Sequence, residues 1–475
     1  MISVGILDRG APAPLHEQLA HGLRAAILAG RANAGDVVPS SRALAADLGV
    51  ARGTVVAAYE ILAGEGYLLT RPGGGTLVAD VARAPQTRAT PRVVAPEIIA
   101  SAVDLRPGRP GVSGIVDAAW RSAWRRASGE LPDADVDDAL GDPGLRAQIA
   151  AHLARTRGLD VTADDVLVTA GTSDAMLLLL LALRPATAGA RMRVGIENPG
   201  YPRVRRILDR VGAEAVAVPV HLGRGLDLDA VEAHDDLDVL IVTPHHHYPL
   251  GSRLDAADRA RLLRWAARTE TVVVEDDYDS EFPHGRAPLP PLHLLDPAGV
   301  VVIGSFSKVL APSLRCGWIV ATGAVRDAVA CARSDLDPPV SQIPQRALAL
   351  YLEDGALARH TARRRRDYRH RRRLLLDAFA GVDGVELLAT DGGLHAVAVL
   401  PGAGSAVESA VVDDVARRGI RVAPLSSYAV PGETSDLPAG IVFGYAEPSI
   451  LTLVEAIGDI IDVLRRHGAQ AGSGG

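Results

Sequence analysis

The sequence predicts a small α+β winged helix-turn-helix, a linker, and an α/β domain with a mostly parallel seven-stranded sheet and a smaller C-terminal α+β part. Three observations carry this reading. Helical spacings and a glycine-rich hairpin crowd into the first eighty residues. A proline-bearing stretch poor in large apolar side chains follows. From residue 104, short β-branched runs alternate with helical segments. With 48% hydrophobic and 23% charged residues, the 475-residue chain is globular and long enough for several domains, which excludes disordered and fibrous classes. The longest apolar run, residues 175–183, is too short to span a bilayer, and the first thirty residues lack a basic-then-apolar signal, so a cytoplasmic location is expected. Cys316 and Cys331 are too few for a disulfide framework and show no metal-ligand spacing. The net charge of −7 argues against a generally basic nucleic-acid coat and leaves room for a local patch.

Leu15, Leu19, Leu23 and Ile27 recur at helical spacing. Pro39-Ser40-Ser41-Arg42 opens a second helix, with serine as N-cap, that ends at Gly49. A third begins around Arg52-Gly53-Thr54 and runs to Leu62, and this short helix–turn–helix separation suits a helix in a major groove, N-terminal residues towards the bases. Residues 67–70 and 76–78 are strands around Arg71-Pro72-Gly73-Gly74-Gly75, a wing whose glycines permit positive φ and close approach to phosphate. The alternative is a helical cap without a ligand. Residues 1–80 contain six arginines and seven acidic residues, so this domain has no basic footprint of its own and DNA affinity would depend on dimerisation and placement. Residues 81–103, with three prolines, read as a linker. Extended, it covers ~75 Å, enough for the small domain to sit on a partner subunit or on its own body.

Seven β-branched runs follow, at residues 166–168, 192–196, 215–218, 239–242, 271–274, 300–303 and 317–320, with helical segments between several of them. Such a sheet binds ligands at the carboxyl ends of its strands. From about residue 337 the pattern changes to helices over 343–352 and 359–379 and then a smaller α+β tail. The domains are therefore 1–80 and 104–470, the latter dividing near residue 336.

One count points to chemistry. Of the 50 Lys plus Arg residues a single one, Lys308, is lysine. In a composition that replaces lysine with arginine wherever charge suffices, the survivor does what guanidinium cannot: it loses a proton and attacks a carbonyl to form an imine. Three strand ends carry polar clusters. Thr169-Ala170-Gly171-Thr172-Ser173 opens a helix and offers N–H groups and hydroxyls to a phosphate. Glu275-Asp276-Asp277-Tyr278-Asp279 is a solvated loop if taken alone, but Asp276 could hold a pyridine nitrogen protonated and Tyr278 could bond a ring hydroxyl. Ser305-Phe306-Ser307-Lys308, with Arg315 beyond, suits an anchored phosphorylated aldehyde. Together they describe a pocket for pyridoxal 5′-phosphate (PLP).

These stretches, with Pro39-Ser40-Ser41-Arg42-Ala43-Leu44-Ala45, Ala58-Tyr59-Glu60, Glu65-Gly66-Tyr67, Asn198-Pro199-Gly200-Tyr201 and Ser280-Glu281-Phe282, occur in an order that resembles the MocR-type bacterial regulators. These are the GntR-family branch that fuses a winged helix to a fold-type I aminotransferase domain. The resemblance covers nearly the whole chain. It implies Lys308 as the Schiff-base lysine, Asp276 on the pyridine nitrogen and Tyr278 on the phenolic oxygen. Gly171, Thr172, Ser173, Ser305, Ser307 and Arg315 would surround the phosphate, Tyr201 would pack near the ring, and His246 matches the family histidine. Arg203 matches an arginine that holds an effector carboxylate, and its alternative is a surface arginine. The DNA contacts map to Ser41, Arg42, Arg52 and Thr54, with the wing around Gly74. A homodimer with domains exchanged between subunits, reading paired half-sites, is also implied.

Three departures from the pattern matter. In Thr243-Pro244-His245-His246-His247-Tyr248-Pro249-Leu250-Gly251 the usual threonine is Leu250 and two histidines are added. Adjacent side chains on an extended segment alternate and no carboxylate or cysteine accompanies them, so no metal is expected. Val442 occupies the position where aminotransferases place an arginine for the substrate carboxylate, which leaves at most residual transamination. Ala51 and Gly53 replace residues that are commonly polar, so base readout differs. The arginines at 363–366, 369 and 371–373 read as a solvated helix face, with DNA contact as the alternative. The expected function is a DNA-binding regulator that binds PLP as a Schiff base and responds to PLP, an amine or an amino acid, with control of vitamin B6 synthesis as one outcome. The alternative is a PLP-dependent aminotransferase with an N-terminal extension.

Overall fold

The computed structural model describes residues 7–71, 75–80, 103–135, 138–185, 190–285, 289–433 and 437–471. Gly74 and the expected linker as far as residue 102 lie outside them. The chain divides into two compact units between Ile98 and Ile99.

In the first unit, α1 (Leu15–Leu28), α2 (Ser41–Leu48) and α3 (Arg52–Gly64) precede the antiparallel pair β1 (Leu68–Arg71) and β2 (Gly75–Val78). Ser40 caps α2, its Oγ accepting from the Ala43 N–H at 3.2 Å, and Gly49 ends it at φ 62°. That left-handed turn is what a side chain would disfavour, and it sets the angle between α2 and α3. Leu19, Leu23, Ile27, Leu44, Val55, Ala58, Leu62, Leu68 and Val78 form the core.

The second unit opens with β3 (Val103–Asp104), then α4 (Ala118–Ser128) and α5 (Pro143–Arg157). The strands β4 (Val166–Thr169), β5 (Arg193–Asn198), β6 (Glu214–His221), β7 (Gly225–Leu226), β8 (Val239–Val242), β9 (Val272–Asp277), β10 (Val300–Ser305) and β11 (Gly317–Val320) build the main sheet. Their spatial order is 4-11-10-9-8-5-6-7. All seven expected runs lie in it. β11 runs antiparallel between β4 and β10, and the remaining strand, β7, is a two-residue edge turned back on β6. The β4, β8 and β11 runs are buried throughout, as continuous apolar runs in a helix-covered sheet require. Two helices that matter below follow strands of this sheet: α6 (Thr172–Ala182) after β4 and α7 (Pro202–Val211) after β5.

Helices Gln342–Glu353 and Ala356–Phe379 lead to the antiparallel strands β12 (Glu386–Leu388), β13 (His395–Leu400), then β14 (Ile420–Arg421), β15 (Ala423–Pro424) and β16 (Ala439–Gly444). The second sheet has the order 12-13-16-15. β14 stands apart and pairs in parallel with β3, so the start of the second unit is stitched to its C-terminal part. Val302 and Phe306 share one apolar cluster with Leu375, Ile441 and Leu464, which makes the large and C-terminal parts a single core. On helix Ala356–Phe379 much of the arginine run is ion-paired: Arg363 with Asp117 at 3.2 Å, Arg365 with Glu281 at 3.0 Å, and Arg371 with Asp367 at 3.0 Å. Among the described residues no helix is long and apolar enough to cross a membrane.

Candidate functional site: a lysine-bearing cavity and a helix-turn-helix

The carboxyl ends of the central strands open into a cavity of about 540 Å³. The parallel pairing sets Asp276 beside Ile303, and the chain leaving β10 brings Lys308 back over that end. Thr172, Ser173, Tyr201, Arg203, Asp276, Tyr278, Ser305, Ser307, Lys308 and Arg315 all line the cavity. Residues far apart in the chain are gathered there because they lie at or just beyond the strand ends of one sheet.

One end of the cavity is bounded by the start of α6. Gly171 precedes it with φ 94°, a conformation that favours glycine, and a methyl group there would lie 3.5 Å from the Arg315 guanidinium. Thr172 and Ser173, the first residues of α6, line the same cavity as Arg315, Ser305 and Ser307. Arg203, on the first turn of α7, lies with Nη1 3.5 Å from Ser173 Oγ. Tyr201, the residue before α7, is 38% exposed and meets Tyr248 edge-on, with ring centroids 5.8 Å apart.

At the other end, Lys308 Nζ donates to the Gly108 carbonyl at 2.9 Å. Burial pulls its pKa down to about 8, against the attraction of Asp276 and Asp279, so an appreciable fraction of free amine exists near neutral pH. Asp276 moves the opposite way. Burial, with Asp277 next to it, raises it to about 7, and its Oδ1 is buried with no partner in the protein. A buried carboxylate oxygen left without a donor is costly unless a bound group supplies one. Tyr278 is driven well above its ordinary value by burial.

His246 is not in the cavity wall. It stands behind Tyr278, its Nδ1 2.9 Å from the tyrosine oxygen and 2.7 Å from Asp279 Oδ2. His247 turns elsewhere and reaches the Pro199 carbonyl at 3.0 Å. Among the described residues no cluster of His, Cys, Asp or Glu could hold a metal ion.

Several wall residues escape a sequence reading. Gly108 and Arg109 come from the segment after β3, and Glu447 from the segment after β16. Arg109 pairs with Glu447 and, at 3.1 Å, with Asp104. Arg109 and Glu447 are 338 positions apart, and no local pattern announces their pairing. Thr243 lines the cavity and is held by buried Glu197, which accepts from its N–H at 3.0 Å and its hydroxyl at 2.6 Å. Burial raises Glu197 to about 7. Its position beside Asn198-Pro199 at the end of a buried strand was the available signal. Val442 is fully buried in β16, in a cluster with Leu250, Val397, Leu425 and Tyr428.

In the first unit, Ser41 and Arg42 start α2 and Arg52 starts α3, with Arg52 Nε 3.4 Å from Ser41 Oγ. Arg42 and Arg52 are exposed, and Thr54, in the first turn of α3, is half-buried. The two helix N-termini therefore meet at one solvent-facing edge.

Residues 15–78 match the gntR family of bacterial regulatory proteins, and residues 119–437 match aminotransferase class I and II. The chain is 38% identical to the HTH-type pyridoxine biosynthesis transcriptional regulator PdxR of Corynebacterium glutamicum, over 96% of this chain and 98% of that protein. It is 32% identical to the probable rhizopine catabolism regulatory protein MocR of Rhizobium meliloti, over 96% and 94%. Among solved structures, an archaeal alanine:glyoxylate aminotransferase superposes with a TM-score of 0.69 at 22% identity, covering 77% of this chain and 91% of that one. PLP is the cofactor of this aminotransferase class, and the residues present fit it: an amine, an unsatisfied buried carboxylate and a helix N-terminus with hydroxyls and a guanidinium lie around one cavity. A winged helix with paired helix N-termini at its surface, joined to such a PLP-binding domain, makes this chain a DNA-binding transcriptional regulator of the MocR type within the gntR family.

Proposed function

We propose that the chain senses PLP itself and controls genes of pyridoxine biosynthesis, acting in the cytoplasm as a homodimer with exchanged DNA-binding units on paired half-sites. The observation that carries this reading is Val442. Where a transaminase grips its substrate's carboxylate, this chain has a fully buried valine packed on Leu250 and Tyr428. The grip on the cofactor is retained and one grip on an amino-acid substrate is gone, so the cofactor is the natural signal.

When bound, PLP supplies an aldehyde carbon to which Lys308 can attach. The protein residues do the rest. Lys308, with its lowered pKa, provides the free amine. Asp276 accepts from the pyridine nitrogen, Tyr278 donates to the phenolic oxygen, and Gly171, Thr172, Ser173, Ser305, Ser307 and Arg315 hold the phosphate, with Tyr201 against the ring. Ser41, Arg42, Arg52 and Thr54 face DNA. PLP changes DNA binding to the extent that it binds two arrangements of the chain unequally. A second reading, an amine or amino-acid effector, is favoured by Arg203, which lines the cavity.

The test is PLP-dependent binding to the DNA upstream of its own gene, alongside a visible absorption band, for wild type and Lys308→Ala. A band and a PLP-dependent change in wild type only support the reading. A band without any DNA binding sinks it and turns attention to amino-donor screening.

A further inference from the structure

The histidine-rich loop after β8 contributes a buried group that the function above does not use. His246 is 2% exposed. Its Nδ1 approaches two oxygens, Asp279 Oδ2 at 2.7 Å and Tyr278 Oη at 2.9 Å. The histidine and its hydrogen bond hold Asp279 below the ordinary carboxylate value against the effect of burial, so it is ionised and can only accept. Nδ1 therefore carries the hydrogen, and towards the tyrosine it can only donate. Nε2 is buried without a partner. The Asp279 carboxylate is the competing acceptor for the Tyr278 hydrogen; with the His246 N–H already directed at both Asp279 Oδ2 and the tyrosine oxygen, the cavity that Tyr278 lines is the other direction open to that hydrogen.

We propose that His246 and Asp279 form a positioning pair that aims the Tyr278 hydroxyl hydrogen into the cavity, where it is donated to the phenolic oxygen of bound PLP, without either residue touching the ligand. The inference rests on reading the Lys308 cavity as the PLP site, and it gives His246 a role through Tyr278 rather than at the cofactor.

The surroundings of the pair are consistent with this role. His245 lies on the same loop, His395 comes from β13 with its ring centroid 5.6 Å from that of His246, and His284 comes from the segment after β9. Burial lowers each of these three to about 4, so they are neutral at neutral pH. Lys308 and Asp276 lie across Tyr278 in the cavity wall. The C-terminal part closes the pair from outside: a methyl group on Gly392 would sit 3.3 Å from the His246 ring.

Donation from Tyr278 stabilises negative charge on the phenolic oxygen, which makes the proton shared between that oxygen and the Lys308 nitrogen easier to lose. The visible band then changes form at a lower pH. Without His246 the tyrosine hydrogen turns to the Asp279 carboxylate and the midpoint rises. The experiment is a spectrophotometric pH titration of PLP-loaded protein for wild type, His246→Leu, Tyr278→Phe and the double variant. His246→Asn keeps an N–H near the Nδ1 position, whereas His246→Gln does not, and the two serve should the leucine variant not fold. Expected are a midpoint raised by about one pH unit in the leucine and glutamine variants, a wild-type midpoint in His246→Asn, and no further shift when His246→Leu is added to Tyr278→Phe. An unshifted His246→Leu or His246→Gln, or a shift that persists without the Tyr278 hydroxyl, overturns the pairing alone. Absence of any band in wild type overturns the PLP-site reading beneath it.

Discussion

Replacing Asp276 by asparagine should stabilise the protein without PLP and weaken it as a PLP binder, and the structure gives the size of the first effect. Asp276 sits in the cavity floor with one oxygen unpartnered, and its pKa rises from 3.8 to about 7, first through burial and then through Asp277, with Lys308 opposing. A carboxylate whose folded pKa is raised holds its proton in the native state after the unfolded chain has released it. Folding stability therefore falls as pH rises from about 4 to about 7 and stays at the lower level above that. Three pH units correspond to roughly 4 kcal/mol. Asparagine cannot ionise and lacks this slope, but it also removes the anion that favours Lys308 as a cation, which takes back part of the gain. On the order of 2–3 kcal/mol should remain at pH 8, shrinking towards pH 5. The assay is unfolding of wild type and Asp276→Asn at pH 5, 6, 7 and 8, without and with excess PLP. The ranking should invert with PLP, because the wild-type carboxylate then gains the donor it lacks. A variant less stable than wild type at pH 8 without PLP, or a difference independent of pH, would refute the argument.

Other expectations follow from the same structure. Val442→Arg should not restore an amino-acid grip; it forces a guanidinium into the cluster of Leu250, Val397 and Tyr428 and should cost roughly 3 kcal/mol or more, read as a lowered unfolding temperature with no gain in amino-acid binding. Ser40→Ala removes the cap of α2 and should destabilise the winged-helix unit by about 1 kcal/mol, measured by denaturant unfolding. Arg52→Ala should weaken operator binding, and its salt dependence identifies the contact. A phosphate contact lowers the slope of log affinity against log salt by about 0.9, whereas a base contact relaxes sequence preference by about 1–3 kcal/mol at one position.

What the sequence disclosed and what it hid divide along a physical line. The seven runs of the main sheet were legible because strands buried on both faces need uninterrupted β-branched side chains, and Lys308 stood out as the single lysine of the chain. β7 was hidden, since two residues make no pattern. So was β14, whose pairing with β3 joins residues more than three hundred positions apart. The same distance hid Arg109 with Glu447. His246 was singled out by resemblance, and the geometry puts Tyr278 between it and the cavity. Glu197 illustrates a third case: a buried carboxylate looks like any other acid in the sequence until the hydroxyl it holds, on Thr243, is seen in the cavity wall.

The pairing of β3 with β14 carries a mechanical consequence. Val103, the first described residue after the interdomain stretch, donates its N–H to the Gly419 carbonyl at 2.8 Å, Leu105 donates to Arg421 at 2.9 Å, and Leu105 in turn accepts from Gly444. The chain is thus clamped at its point of arrival to the C-terminal part, through β14 and through Gly444 of β16. Three residues beyond Leu105 the same segment presents the Gly108 carbonyl to Lys308, so one short run of chain ties the C-terminal part to the lysine of the cavity.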